Sequence, residues 1–166
     1  MLVRREQPAD SAAIHALHAA AFGQATEARL VDDLRADSDL VLSFVACHKG
    51  EIVGHVCCSP ARVGDDRGVA LGLGPLGVLP AHQRTGVGSA LMHAALAAAD
   101  VLGYGLVVLL GNPAYYFRFG FVLASTMAIT PPDPVWAPHF QARTLAAYTP
   151  EQAGAFRYAP AFERLE

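Results

Sequence analysis

Apolar positions along this chain recur first with a helical period and then with a strand period. Leu2 to Arg5 opens as a short strand. From Pro8 the spacing predicts a helix with Ile14, Leu17, Ala21 and Phe22 on one face. Pro8 suits a first helical turn, where its missing N–H costs nothing, and Gly23 suits the end. A second helix is expected from about Glu27 to Arg35. It turns Leu30, Val31 and Leu34 inward and leaves Asp32, Asp33 and Arg35 in water. Leu40 to Cys47 then reads as a strand, Lys49-Gly50 as a turn and Ile52 to Val63 as the returning strand of a hairpin. After a turn at residues 64–68, Val69 to Val78 continues the meander. Gly72, Gly74 and Gly77 weaken this strand, and Pro75 cannot donate to a ladder.

Gly86 to Leu102 is the most regular helix, with Val87, Leu91, Ala94, Ala95, Ala98 and Leu102 as its apolar stripe. Leu106 to Leu110 is an unbroken apolar run, expected of a strand covered on both faces. A short helix is predicted over Ala114 to Arg118, and a strand from Phe121. The proline-rich stretch 130–140 reads as a loop, and Gln141 to Ala147 and Gly154 to Tyr158 as terminal strands. An antiparallel meander leading into a β-α-β unit predicts one α/β (α+β) domain over residues 1–166. It is neither a doubly wound Rossmann fold nor a helical bundle.

Composition narrows the function classes. With 166 residues, 53% of them hydrophobic, the chain can bury a core without a disulfide or metal staple. A net charge of −3 lacks the basic excess of a nucleic-acid binder. No apolar run approaches ~20 residues, so no membrane span is expected. The polar start MLVRREQPAD is unlike a signal peptide. Cys47, Cys57 and Cys58 lack metal-binding spacing and cannot all pair, which points to reduced thiols in a cytoplasmic protein and to no metal.

The segment Val78-Leu79-Pro80-Ala81-His82-Gln83-Arg84-Thr85-Gly86-Val87-Gly88-Ser89 leaves a strand and enters the strongest helix. A helix N-terminus offers unpaired N–H donors and a positive dipole end. Gly86 and Gly88 let a ligand approach the backbone, Arg84 adds a cation and Ser89 a hydroxyl. These are the elements of a pyrophosphate site. A Walker motif would need Gly-Lys-Ser/Thr, and a Rossmann motif a third glycine; neither is present.

Val78-x-Pro80-x-x-Gln83-x-x-Gly86-x-Gly88 resembles the signature of the GNAT superfamily of acetyl-CoA-dependent N-acetyltransferases. Asn112-x-x-x-Tyr116-x-x-x-Gly120-Phe121 resembles that family's segment after its fifth strand. Gly54-His55, Ser59-Pro60, Gly74-Pro75-Leu76 and residues 112–121 resemble its YhbS-like bacterial branch. The resemblance covers roughly residues 2–128. It implies a mixed, twisted sheet of about seven strands with helices on both faces, and strands four and five splayed around acetyl-CoA, the cosubstrate. A bulge near Pro75 would free backbone groups in the same place. By resemblance, the backbone around Leu76, Gly77 and Val78 pairs with pantetheine. Gln83 starts the turn, Arg84, Thr85, Gly86, Val87, Gly88 and Ser89 hold the pyrophosphate, and Asn112 contacts the pantetheine arm.

Direct acetyl transfer to a primary amine needs an oxyanion donor and a proton for the departing thiolate. Backbone N–H groups near Leu76 to Val78 suit the first role. Tyr116 matches the family position of the acid, with Tyr115 beside it as a substitute. No carboxylate lies in residues 69–78, so the base is open between Glu27 and His55; His82 lies by the pyrophosphate turn. Ser59-Pro60 is expected to shape the acceptor cleft. The acceptor is a small-molecule or peptide amine. A non-catalytic acyl-CoA sensor is the alternative, and a homodimer through the C-terminal region is compatible with the sequence.

Overall fold

The computed structural model describes residues 1–165, the side chains of residues 66–68 excepted. β1 (Leu2–Arg5) is followed by α1 (Ser11–Phe22) and α2 (Thr26–Ala36), then by β2 (Leu42–His48), β3 (Glu51–Val63) and β4 (Asp66–Val78). Lys49 and Gly50 connect β2 to β3 with φ of 49° and 81°, a twist that suits a two-residue hairpin. The next turn is only Gly64 and Asp65, so β4 begins at Asp66 rather than Val69. α3 (Val87–Val101), β5 (Leu106–Leu110) and α4 (Pro113–Tyr116) follow. β6 (Val122–Leu123), β7 (Ile129–Thr130), β8 (Phe140–Thr144) and β9 (Gly154–Arg157) complete the elements used below.

The main sheet runs β1-β2-β3-β4-β5-β8-β6. Only the β4–β5 contact within this path is parallel. Two more strands stand off the path: β9 pairs antiparallel with β3, and β7 pairs parallel with β9. The mixed sheet of about seven strands is therefore a seven-strand path with two additions. β8 ends at Thr144 because the next N–H groups leave the ladder. Leu145 donates to the Gly105 carbonyl at 2.9 Å, and Ala146 to Asp100 Oδ1 at 3.0 Å. The stretch expected as loop contains a 3-10 helix, Pro134–His139, started by Asp133, whose side chain accepts from the Val135 N–H.

Helices cover both faces. Ile14, Leu30, Val31 and Leu34 pack on Val45 and Cys57 from one side. Leu91, Met92, Ala95 and Leu96 pack on Val53, Val56, Leu71, Val107 and Leu109 from the other. Each fully buried leucine contributes about 1.5–3 kcal/mol. The buried stripe of α3 is rotated from the expected one. Met92, Leu96 and Ala99 are inside, while Leu102 is 53% exposed. Alanines make several stripes of this helix equivalent, and the larger Met92 and Leu96 take the core. α1 departs similarly: His18 is buried beside Ile14 and Leu17, and Phe22 is 40% exposed. Among the described residues, no helix is long and apolar enough to cross a membrane.

Candidate active site

The parallel ladder between β4 and β5 is short. It runs from Ala70–Leu106 to Gly72–Val108, after which β4 continues to Val78 without β5. Against β3, Leu73 faces Cys58 and Leu76 faces Val56. β4 thus advances one residue more than β3, a bulge at Gly74-Pro75. Beyond the bulge, Leu79 N–H donates to the Val53 carbonyl at 2.9 Å. Antiparallel pairing alternates, so Leu76 and Val78 turn their N–H and C=O away from β3 and toward the gap. Gln83 Nε2 donates to the Val78 carbonyl at 3.1 Å, which leaves the Val78 N–H and both Leu76 groups facing the opening. Gly77, between them, turns its N–H and C=O toward His55 of β3, and its Cα lies under α1.

The strand-to-helix turn lies at the end of this edge. Arg84 and Gly86 have φ of 61° and 92°, and Gly86 caps α3 without a side-chain hydrogen bond. The first-turn N–H groups of Val87, Gly88 and Ser89 are therefore left without an intrahelical acceptor. Thr85 Oγ1 donates to the His82 carbonyl at 2.5 Å, so its hydroxyl shapes the turn. Val87 is buried and acts through its backbone. An open groove of about 540 Å³ lies here, between Val78, Gln83, Arg84, Gly86, Gly88 and Ser89 on one side and Tyr115 and Arg118 on the other. A Cβ on Gly88 would stand 2.8 Å from the Tyr115 hydroxyl. Arg118 lies 4.8 Å over the Tyr115 ring and donates from Nε to the Tyr115 carbonyl at 2.9 Å. Sequence reasoning missed Arg118 as a groove residue, although it lies inside the Asn112–Gly120 motif.

Asn112 and Tyr116 sit where β5 passes into α4. Asn112 Oδ1 accepts from the Ala114 N–H at 3.0 Å and caps that turn. The Tyr116 ring packs against Gly111, edge-on to Tyr115 at 4.9 Å and to Phe121 at 6.0 Å. Burial, with Tyr115 adding, pushes the Tyr116 hydroxyl up to about 12, so it remains protonated at neutral pH.

The base candidates differ in access. Glu27 is half-buried in the first turn of α2 and accepts from Gln24 Nε2 at 3.2 and 3.3 Å. His55 is fully buried, with Nδ1 2.8 Å from His18 Nε2 and Nε2 2.8 Å from Ser43 Oγ. Ser43 in turn donates to Glu6, which pairs with Arg35 at 2.6 Å. Burial alone would raise the Glu6 carboxyl. Hydrogen bonds from Ser43 and Arg35, with the His55 ring 3.8 Å away, outweigh it and hold the group at about 2. An ionised Glu6 takes the Ser43 proton, so His55 donates from Nε2 to Ser43 and accepts at Nδ1 from His18. His18 Nδ1 is then a buried lone pair without a partner, facing Gly77. His82 lies against His48, ring centroids 5.5 Å apart.

Burial also keeps Cys57 and Cys58 protonated. The Cys57 thiol is pushed well up and donates to the Gly74 carbonyl at 3.3 Å, and Cys58 is pushed up to about 12. Ser59, expected at an acceptor cleft, is instead fully buried opposite Gly72; only Pro60 reaches a cleft. Among the described residues, no cluster of His, Cys, Asp or Glu could hold a metal ion.

A strand edge freed by a bulge runs into an open groove at a helix N-terminus, the shape of a site for a long, phosphate-bearing ligand. The acetyltransferase (GNAT) family matches residues 11–121. The chain is 40% identical over 126 residues to the uncharacterized N-acetyltransferase YhbS of Escherichia coli K12, covering 75% of each. The crystal structure of Escherichia coli YhbS in complex with CoA superposes with a TM-score of 0.94 at 35% identity, covering 99% of this chain and 93% of that one. A Brucella melitensis GNAT acetyltransferase in complex with acetyl-CoA gives 0.83 at 35% identity, covering 97% of both. The chain belongs to the GNAT acetyltransferase family.

Proposed function

We propose that this acetyltransferase moves an acetyl group from acetyl-CoA directly to a primary amine, on a small molecule or a peptide, within a ternary complex. The observation that carries the reading is the free edge of β4 at Leu76 and Val78, running into the uncapped N-terminus of α3. Pantetheine is an amide chain and pairs with such an edge as a strand would. The pyrophosphate takes the N–H groups of residues 86–89, with Arg84 and Arg118 supplying charge.

In the transfer a C–N bond forms as the C–S bond breaks. The Leu76 N–H is the donor for the oxyanion of the tetrahedral species. Tyr116 gives its proton to the departing thiolate, whose ordinary pKa of about 8.5 exceeds neutral pH. The amine loses one proton in exchange. Of the two base candidates, Glu27 alone is reachable from solvent. The Asn112 carbonyl is engaged in capping, which leaves its amide N–H₂ for the pantetheine arm. Three unpaired thiols support a cytoplasmic site of action.

The test is thiol release from acetyl-CoA over a panel of primary amines, beside direct calorimetry of CoA binding. Acetylated amine together with CoA binding is the expected outcome. Tight binding with no amine acetylated would instead favour an acyl-CoA sensor, and absent binding would sink both.

A further inference from the structure

Arg62 on β3 and Arg157 on β9 are direct cross-strand partners. Like charges placed opposite one another destabilise a sheet. Among the described residues, neither guanidinium has a carboxylate within 4 Å or a side-chain hydrogen bond, whereas Arg4, Arg35 and Arg164 all pair with acids. The two arginines line a cleft of about 560 Å³ together with Trp136, Tyr158, Phe162 and one carboxylate, Glu163. A second cleft of about 470 Å³ shares Arg62, Arg157, Tyr158 and Glu163, so the arginine pair lies in the wall common to both.

This cleft meets the transfer region at two places. The Tyr158 ring, stacked on Phe162 at 4.3 Å, rests against Gly72, where a Cβ would come within 2.8 Å of it. Gly72 is the last β4 residue paired with β5, so Tyr158 stands where the gap opens. Trp136 borders both the cleft and the open depression at Leu110, Gly111 and Asn112, at the carboxyl end of β5.

We propose that Arg62 and Arg157 form an anion site, and that the amine acceptor carries a carboxylate or phosphate at the end remote from its amine. This rests on the acetyl-transfer reading given above. Paired guanidiniums present fork-shaped donors that match either oxyanion, and the bound charge relieves their mutual repulsion. The aromatic walls take an apolar spacer, and the amine reaches the gap beside Trp136 and Tyr158.

The test compares amines that differ only in the remote group, as carboxylate, phosphate and neutral amide. Turnover and CoA binding are measured for the wild type, Arg62→Gln, Arg157→Gln and the double variant. Binding of each amine to the CoA complex is followed by calorimetry. The expected result is a kcat/KM for the anionic amines about tenfold or more above the amide. The double variant should abolish that preference through KM, with kcat and CoA affinity unchanged. The carboxylate and phosphate arms identify which oxyanion is preferred. Equal handling of acid and amide by the wild type, or an equal loss on both in the variants, overturns the proposal. If no amine is acetylated, the transfer reading fails, and the anion site is judged by calorimetry. Arginine-dependent binding of the anionic amine upholds it, and its absence overturns it.

Discussion

His18 Nε2 donates a 2.8 Å hydrogen bond to His55 Nδ1, joining α1 to β3 through two buried imidazoles. Burial holds both rings below the ordinary histidine range, His18 at about 3. The unfolded chain therefore binds more protons than the folded one between about pH 3 and 6.5. This contribution to stability is complete above pH 6.5 and is lost as pH falls toward 3. Glu6, at about 2 against 4.5, acts in the same direction below pH 4.5. The thermal midpoint should be level between about pH 7 and 8 and fall steadily below 6.5. His18→Leu should flatten the fall between pH 4.5 and 6.5; an unchanged slope would remove His18 from this role.

The same ring limits what Gly77 can become. A Cβ there would meet His18 Nδ1 at 2.8 Å and Leu17 Cδ2 at 3.2 Å. Gly77→Ala should cost about 1–3 kcal/mol by overpacking. In a double-mutant cycle by denaturant unfolding, His18→Ala should absorb much of that cost. Simple additivity would show that the two positions do not press on each other.

Tyr116→Phe keeps the ring packed on Gly111 and removes only the proton. The expected loss is about 10²-fold in kcat, with CoA affinity unchanged. Steady-state kinetics and calorimetry on one preparation separate the two quantities. Wild-type turnover in this variant would assign the acid elsewhere, with Tyr115 next in line.

The groove should respond differently, through affinity. Gly86→Val places a β-branched residue at φ 92°, and Gly88→Ala sets a methyl 2.8 Å from the Tyr115 hydroxyl. Both should weaken CoA binding. Arg118→Ala should raise the CoA Kd by about tenfold and reduce its salt dependence. Unchanged affinity in all three would make the turn purely structural.

Local patterns carried much of this architecture. The glycines at 86 and 88, the broken strand around Pro75 and the Asn112–Gly120 segment are readable because each feature is set by neighbours in the chain. Features the sequence does not show depend on distant partners. His18 follows Ile14 and Leu17 at helical spacing, but an imidazole is buried there only because His55 supplies a hydrogen bond. Gln83 occupies the Val78 carbonyl only because the turn folds back. The apposition of Arg62 and Arg157 requires β9 to cross to β3, which no local pattern encodes. In α3, the run of alanines left the rotation of the helix to be fixed by the sheet beneath it.

The short β4–β5 ladder separates two kinds of recognition. Groups turned into the gap by Leu76 and Val78 are main-chain atoms, and every substitution but proline retains them. The clefts beyond Gly72 are lined by side chains, which single substitutions replace. On the proposed reading, the pantetheine contacts at Leu76 and Val78 are thereby buffered against mutation, while acceptor choice stays open to it. A scaffold divided in this way can change its acceptor in small evolutionary steps without renegotiating its acyl donor.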